Sequence, residues 1–176
     1  MKYILFAFFI SLNIFSQEII VPVESKTEYL YNNPNYRNYI FKDINNVFEK
    51  FLGKWKYETG DCDINIEIFK FYDKDNHQDA IYVNVKYIKG SQLVMDTSKF
   101  ETQGYIYGGT FENKNSINAV IVYFSEISET WNCGHVSRVK LICENANSLT
   151  WKIDKDELLF NKTASLFPRE IQFTKQ

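Results

Sequence analysis

From Gly53 onward the chain alternates apolar and polar residues with a period of two, the mark of strands that bury one face. In "DINIEIFKFY" the residues Ile64, Ile66 and Ile68 share a face, and the phase then slips to Phe69 and Phe71, which predicts a bulge that curls the strand. "IYVNVKYIK" sets Ile81, Val83, Val85 and Tyr87 against Tyr82, Asn84, Lys86 and Ile88. Later runs place Val139 and Leu141, then Leu149, Trp151 and Ile153, then Ile171 and Phe173 on the inner face. Turn formers separate the runs at Gly60-Asp61, Asp73 to Asp79, Gly90-Ser91, Gly108-Gly109, Asn113 to Asn115, Cys133-Gly134 and Asn145 to Asn147. Links this short join antiparallel neighbours. The pattern therefore predicts an all-β fold, an antiparallel up-and-down meander of 8–9 strands. Closing it into a barrel removes the open edges, and a two-sheet sandwich is the alternative.

Ahead of Gly53 the period differs. Phe41, Ile44, Val47, Phe48, Phe51 and Leu52 fall at helical spacing, with Asp43 near the start, where it suits the helix dipole. A short N-terminal helix ending at Gly53 is expected. Residues 17–40 mix Asn, Tyr and Pro with no period and read as an extended arm lying on the domain. Residues 41–176 form the barrel domain in this reading.

The first residues, "MKYILFAFFISLNIFSQ", carry Lys2, an apolar run and the small residue Ser16, the layout of a secretory leader over 1–16. The run is shorter than the ~20 apolar residues of a membrane span, so no transmembrane segment is expected in the mature chain. The protein is expected to be exported, to the periplasm or the extracellular space. The remaining length suits one domain that buries about 70% of its unfolded surface. A net charge of −2, with lysines and acids interspersed, argues against nucleic acid and anionic membranes as partners.

An oxidising compartment makes one disulfide among Cys62, Cys133 and Cys143 the expectation. Turn parity pairs Cys62 with Cys133 if "QLVMD" is not a separate strand, and with Cys143 if it is. Cys62 is in both pairs and is expected to be bonded. With two histidines in the chain, neither a metal site nor another cofactor is expected.

Gly53-Lys54-Trp55 at the head of the meander is similar to the Gly-x-Trp of the lipocalin and calycin superfamily. More closely, "DINNVFEKFLGKW", "VKYIKGSQLV", "LTWKI" and "FPREIQFTK" resemble an uncharacterised family of small exported bacterial proteins with a lipocalin-like barrel. The resemblance implies that Trp55 plugs one end of the barrel. It also implies an arginine over that Trp, for which Arg169 is the candidate.

Three polar clusters read as ordinary structure. Asp73, Asp75, His77 and Asp79 lack the glycine and the distal acid of a calcium loop and form a solvated hairpin tip. Cys133 and His135 have no visible third group or oxyanion loop. Asp154, Asp156 and Glu157 alternate with lysines as in a solvated turn. No catalytic residue is expected. The aromatic content, 17% with twelve tyrosines, has two readings. One is an exported, non-enzymatic carrier holding a small apolar ligand against Tyr87, Tyr123 and Trp151. The other is a filled barrel serving as a structural or interaction module for an envelope protein, through its loops and tyrosine-rich arm.

Overall fold

The computed structural model describes residues 18–33, 38–97, 106–126, 135–157 and 167–176. Among these described residues eleven strands follow in chain order: β1 (Ile19–Pro22), β2 (Tyr39–Lys42), β3 (Gly53–Thr59), β4 (Cys62–Asp73), β5 (Gln78–Lys89), β6 (Gln92–Asp96), β7 (Ile106–Thr110), β8 (Ala119–Glu126), β9 (His135–Asn145), β10 (Ser148–Glu157) and β11 (Glu170–Lys175). Eight of them close an antiparallel barrel in the order β3, β4, β5, β7, β8, β9, β10, β11. The seam is β11 on β3, where Lys175 pairs with Trp55 and Thr174 with Lys56. Closure follows from the alternation, because a sheet with one apolar face hides that face most completely by wrapping around it. All the inner positions expected on β5, β9, β10 and β11 are buried, as are Ile64, Ile66 and Ile68 on β4.

β6 is an accessory strand. It pairs with the end of β5 at Lys86 to Lys89, while β7 pairs with the same edge of β5 further back, at Ile81 and Tyr82. Both run antiparallel to β5, so they occupy one lane of the barrel between them and do not reverse the direction count. β1 and β2 pair in parallel, and β2 touches β5 at Phe41 and Gln78.

Two local expectations are corrected. The helix is α1 (Lys26–Asn32), led by a 3-10 turn over Val23–Ser25, and so lies in the segment read as an extended arm. Residues 43–52 form consecutive tight turns instead, with hydrogen bonds from Asn46 to Asp43, Glu49 to Asn46, Phe51 to Phe48 and Leu52 to Glu49. The cause is local. The Val47 N–H that an α-helix would give to the Asp43 carbonyl goes to the Asp43 carboxylate at 2.7 Å, and Asn46 takes a left-handed φ of 53°. The second correction is on β4, which pairs with β5 in unbroken register from Cys62 to Asp73. There is no bulge, and Phe69 and Phe71 stand on the outer face. Register shifts lie elsewhere, in the β5–β6 and β9–β10 pairings and at Gly108-Gly109, which is inside β7 rather than at a turn. A Cβ at Gly108 would sit 2.8 Å from the Ile121 oxygen and the Val122 Cα, so only glycine lets β8 approach this closely.

Candidate functional site

The interior is the first place to look for a binding site. At the end marked by Trp55, the turn segment folds Phe48 and Phe51 into the barrel mouth, and Phe48 stacks on Phe111 with centroids 5.5 Å apart. Trp55 lies fully buried beneath them, its Nε1 donating to the Phe51 carbonyl at 2.9 Å. The cation over its ring is Lys175, with Nζ 5.0 Å from the centroid, and Lys175 Cε passes 3.6 Å from where a Gly53 Cβ would be. Arg169 does not fill that role. It sits just before β11, where its carbonyl accepts from Ile153, and β11 then runs its full length before reaching Trp55. Gly53, with φ of 107°, turns the chain from the last tight turn into β3.

At the other end the interior is an aromatic cluster. Phe167, between β10 and β11, sends its ring to within 4.8 Å of Trp151, 5.5 Å of Phe124 and 5.8 Å of Tyr87, centroid to centroid. Phe124 and Trp151 meet edge to face at 5.5 Å. All four side chains are buried. The expected lining residues Tyr87 and Trp151 are therefore brought together inside the barrel. Tyr123 is not, because on β8 the inward set is Val120, Val122 and Phe124, which leaves Tyr123 outside and 42% exposed. Phe124 is missed because both phases of β8 are apolar, so alternation does not mark its inner face. Phe167 lies outside any strand, and alternation carries no signal for it.

Polar chemistry inside the cluster is sparse. Burial, and next the neighbouring Cys62, push the Tyr87 phenol above its ordinary pKa, so it stays neutral. Trp151 Nε1 is buried with no hydrogen-bond partner among the described residues. Cys62 and Cys143 are free thiols, which corrects the expectation that they pair, while the alternative partner Cys133 falls outside the described residues. They stand at opposite ends of the barrel, Cys62 beside Tyr87 and Cys143 with its Sγ 3.3 Å from the Lys50 carbonyl at the Trp55 end. β6 is a separate strand that does not advance the barrel, so the parity that pairs Cys62 with Cys143 does not hold. Burial raises the Cys143 pKa despite the nearby Lys50 and Lys175. Cys133 and the side chain of His135 lie outside the described residues, as do the leader, Tyr36 and the side chains of Asp154, Asp156 and Glu157.

The acidic tip is built as a turn. Asp73 accepts from the backbones of Asp75 and Asn76 and from the Asn76 amide. Burial alone would raise its pKa, and these bonds, with one from Gln78, hold it below the ordinary value. Among the described residues no group of three or more His, Cys, Asp or Glu could hold a metal ion. No helix among them is long and apolar enough to cross a membrane.

One buried polar cluster braces the Trp55 end. The Asp43 side chain is fully buried, with Oδ2 3.2 Å from Lys70 Nζ, while its backbone N–H donates to Asp79 at 2.9 Å. Desolvation would lower the Lys70 pKa, but hydrogen bonds and attraction from Asp43 and Glu49 outweigh it and raise it. Asp43→Ala is expected to cost about 2–4 kcal/mol in urea unfolding, chiefly by stranding the Val47 N–H, since Lys70 is a third exposed. Because the folded pKa of Lys70 is the higher one, its contribution is complete below the unfolded value and fades as pH rises through the folded value. Asp43→Ala is expected to flatten that alkaline decline.

On the outside, β4, β5, β7 and β8 present directly paired aromatics: Phe69 opposite Tyr82, Tyr82 opposite Tyr107, and Tyr107 opposite Tyr123. Phe71 flanks the row, edge to face with Tyr82 at 6.5 Å. The tyrosines of the arm behave differently. Tyr29 packs edge-on against Tyr39 and Phe41 at 5.2 and 6.3 Å, whereas Tyr31 is 86% exposed.

Compared with known proteins, residues 1–174 match the model of a family described as a family of unknown function, DUF6705. No curated protein and no solved structure matches the chain.

Proposed function

We propose that this chain, which belongs to the DUF6705 family, is a non-enzymatic interaction module with a solid barrel, binding through its outer surface rather than its lumen. The observation that carries this reading is the filling of the interior from both ends. Phe48, Phe51, Phe111 and Trp55 occupy one end, and Phe124, Trp151 and Phe167 the other, each fully buried or nearly so. An eight-stranded barrel has room for its own side chains or for one small ligand, and the burial of these rings at both ends supports the first. Export through the leader at residues 1–16, to the periplasm or beyond, is part of the proposal, supported by the charge, apolar run and small residue found there. Kinship with lipocalin-like barrels is supported by Gly53-x-Trp55 opening β3 and by closure of eight strands.

The carrier reading, with a small apolar ligand in the lumen, rests on the orphan Trp151 Nε1. A buried indole donor without a partner costs about 1–3 kcal/mol, and a ligand oxygen would relieve that cost. Native mass spectrometry of protein purified from its own host separates the two readings. The expected mass is that of the bare chain cut near Ser16; a co-purifying small molecule would overturn the solid-barrel proposal in favour of the carrier.

A further inference from the structure

Resting on the reading that binding is external, we infer that the aromatic row across β4, β5, β7 and β8 is a binding site for a neutral polysaccharide chain. Phe69, Tyr82, Tyr107 and Tyr123 are successive cross-strand partners. They place one ring per strand along a line, at about 4.8 Å per step. Phe69, Tyr107 and Tyr123 in the row and Phe71 beside it are 40%, 49%, 42% and 37% exposed, with Tyr82 half-buried between them, although rings of this size are normally kept for the core or for an interface.

The chemistry of the row selects the occupant. Sugar rings offer apolar C–H faces that stack on aromatic rings, and hydroxyls around the edge that bond to planar polar side chains. The row supplies both kinds of contact. Three of its four rings carry a phenol, Glu67 and Asn84 form the next outward pair beside Phe69 and Tyr82, and Arg138 follows Tyr123 at the far end. The bordering acids are all paired within the protein: Glu67 faces Lys54 at 3.8 Å, while Glu112 faces both Arg138 at 3.8 Å and Lys140 at 3.0 Å. These pairs leave a surplus of one positive charge at most, far short of the several cationic contacts that hold nucleic acid or an anionic polymer. The strip therefore fits an uncharged chain better.

Size argues against a protein partner or a second copy. Rings of about 150–250 Å² each, a little under half exposed, offer roughly 300–450 Å². A stable protein interface needs about 800 Å² from each side. A line one ring wide is the footprint of a linear polymer.

The test is affinity electrophoresis of the full chain in gels containing hydroxyethylcellulose, laminarin, xylan or amylose, with alginate as the anionic comparison. Retardation by at least one neutral polymer is expected. Tyr107→Ser and Tyr123→Ser should each weaken it about tenfold or more. Tyr107→Phe, which keeps the ring, should retain most of it, and Tyr31→Ser, off the row, all of it. Circular dichroism and unfolding midpoints check that the variants fold. Three outcomes overturn the proposal: no retardation by any neutral polymer, retardation by alginate alone, or equal retardation of the serine variants. So does a concentration-dependent dimer in sedimentation that Tyr107→Ser abolishes, since the row would then be a self-interface. A small molecule found in the lumen bears on the solid-barrel reading alone, so the two failures are distinguishable.

Discussion

Trp55→Ala is expected to lower the unfolding free energy by about 3–5 kcal/mol, a large share of the ~5–15 kcal/mol typical of a domain. Trp55 is fully buried where the barrel seam meets the turn segment, and three contacts converge on it, two of them through its side chain. Its ring fills the space under Phe48 and Phe51, its Nε1 satisfies the Phe51 carbonyl, and its backbone pairs β3 with Lys175 of β11. Truncation leaves a cavity and a stranded carbonyl together. Lys175→Met separates the terms, since it keeps the aliphatic cover and loses only the cation over the ring, for a cost of about 1 kcal/mol or less. Urea unfolding followed by circular dichroism measures both. A loss under about 1 kcal/mol for Trp55→Ala would mean that this end is not closed by Trp55.

The contrast between Trp55 and Arg169 shows what alternation can and cannot place. Inward positions on β5, β9, β10 and β11 are legible because strand periodicity reports one bit per residue, the side of the sheet. The same bit exists for Tyr123, but it lies in a run where both phases are apolar: Ile121 and Tyr123 alternate with Val120, Val122 and Phe124. With hydrophobes on both faces, the period loses its contrast. The outer aromatic row is therefore what hides the inner face of β8. Helical spacing in residues 41–52 fails for another reason. A single carboxylate, Asp43, captures the Val47 N–H, and a competition between side chain and backbone leaves no trace in hydrophobic period. The Cys62–Cys143 pairing fails at the level of topology, because β6 and β7 share one lane beside β5, and a strand count cannot tell a shared lane from two.

Phe167→Ala is the sharpest test of whether the barrel is solid. Phe167 is the central ring of the four-ring cluster, touching Tyr87, Phe124 and Trp151 at once, and its loss is expected to cost about 3–5 kcal/mol. The neighbours come from three different strands and are held by their ladders, so they cannot all move in to fill the gap. What remains is a dry cavity walled by rings, the kind that admits benzene or xenon. Benzene should then raise the melting temperature of Phe167→Ala, because a ligand that binds the folded state alone stabilises it by mass action. The unsubstituted protein should show no such rise. If it does, with a shift comparable to that of the variant, the lumen already has room for an apolar guest, and the orphan Trp151 Nε1 becomes the anchor of a carrier site rather than a tolerated flaw in a packed core.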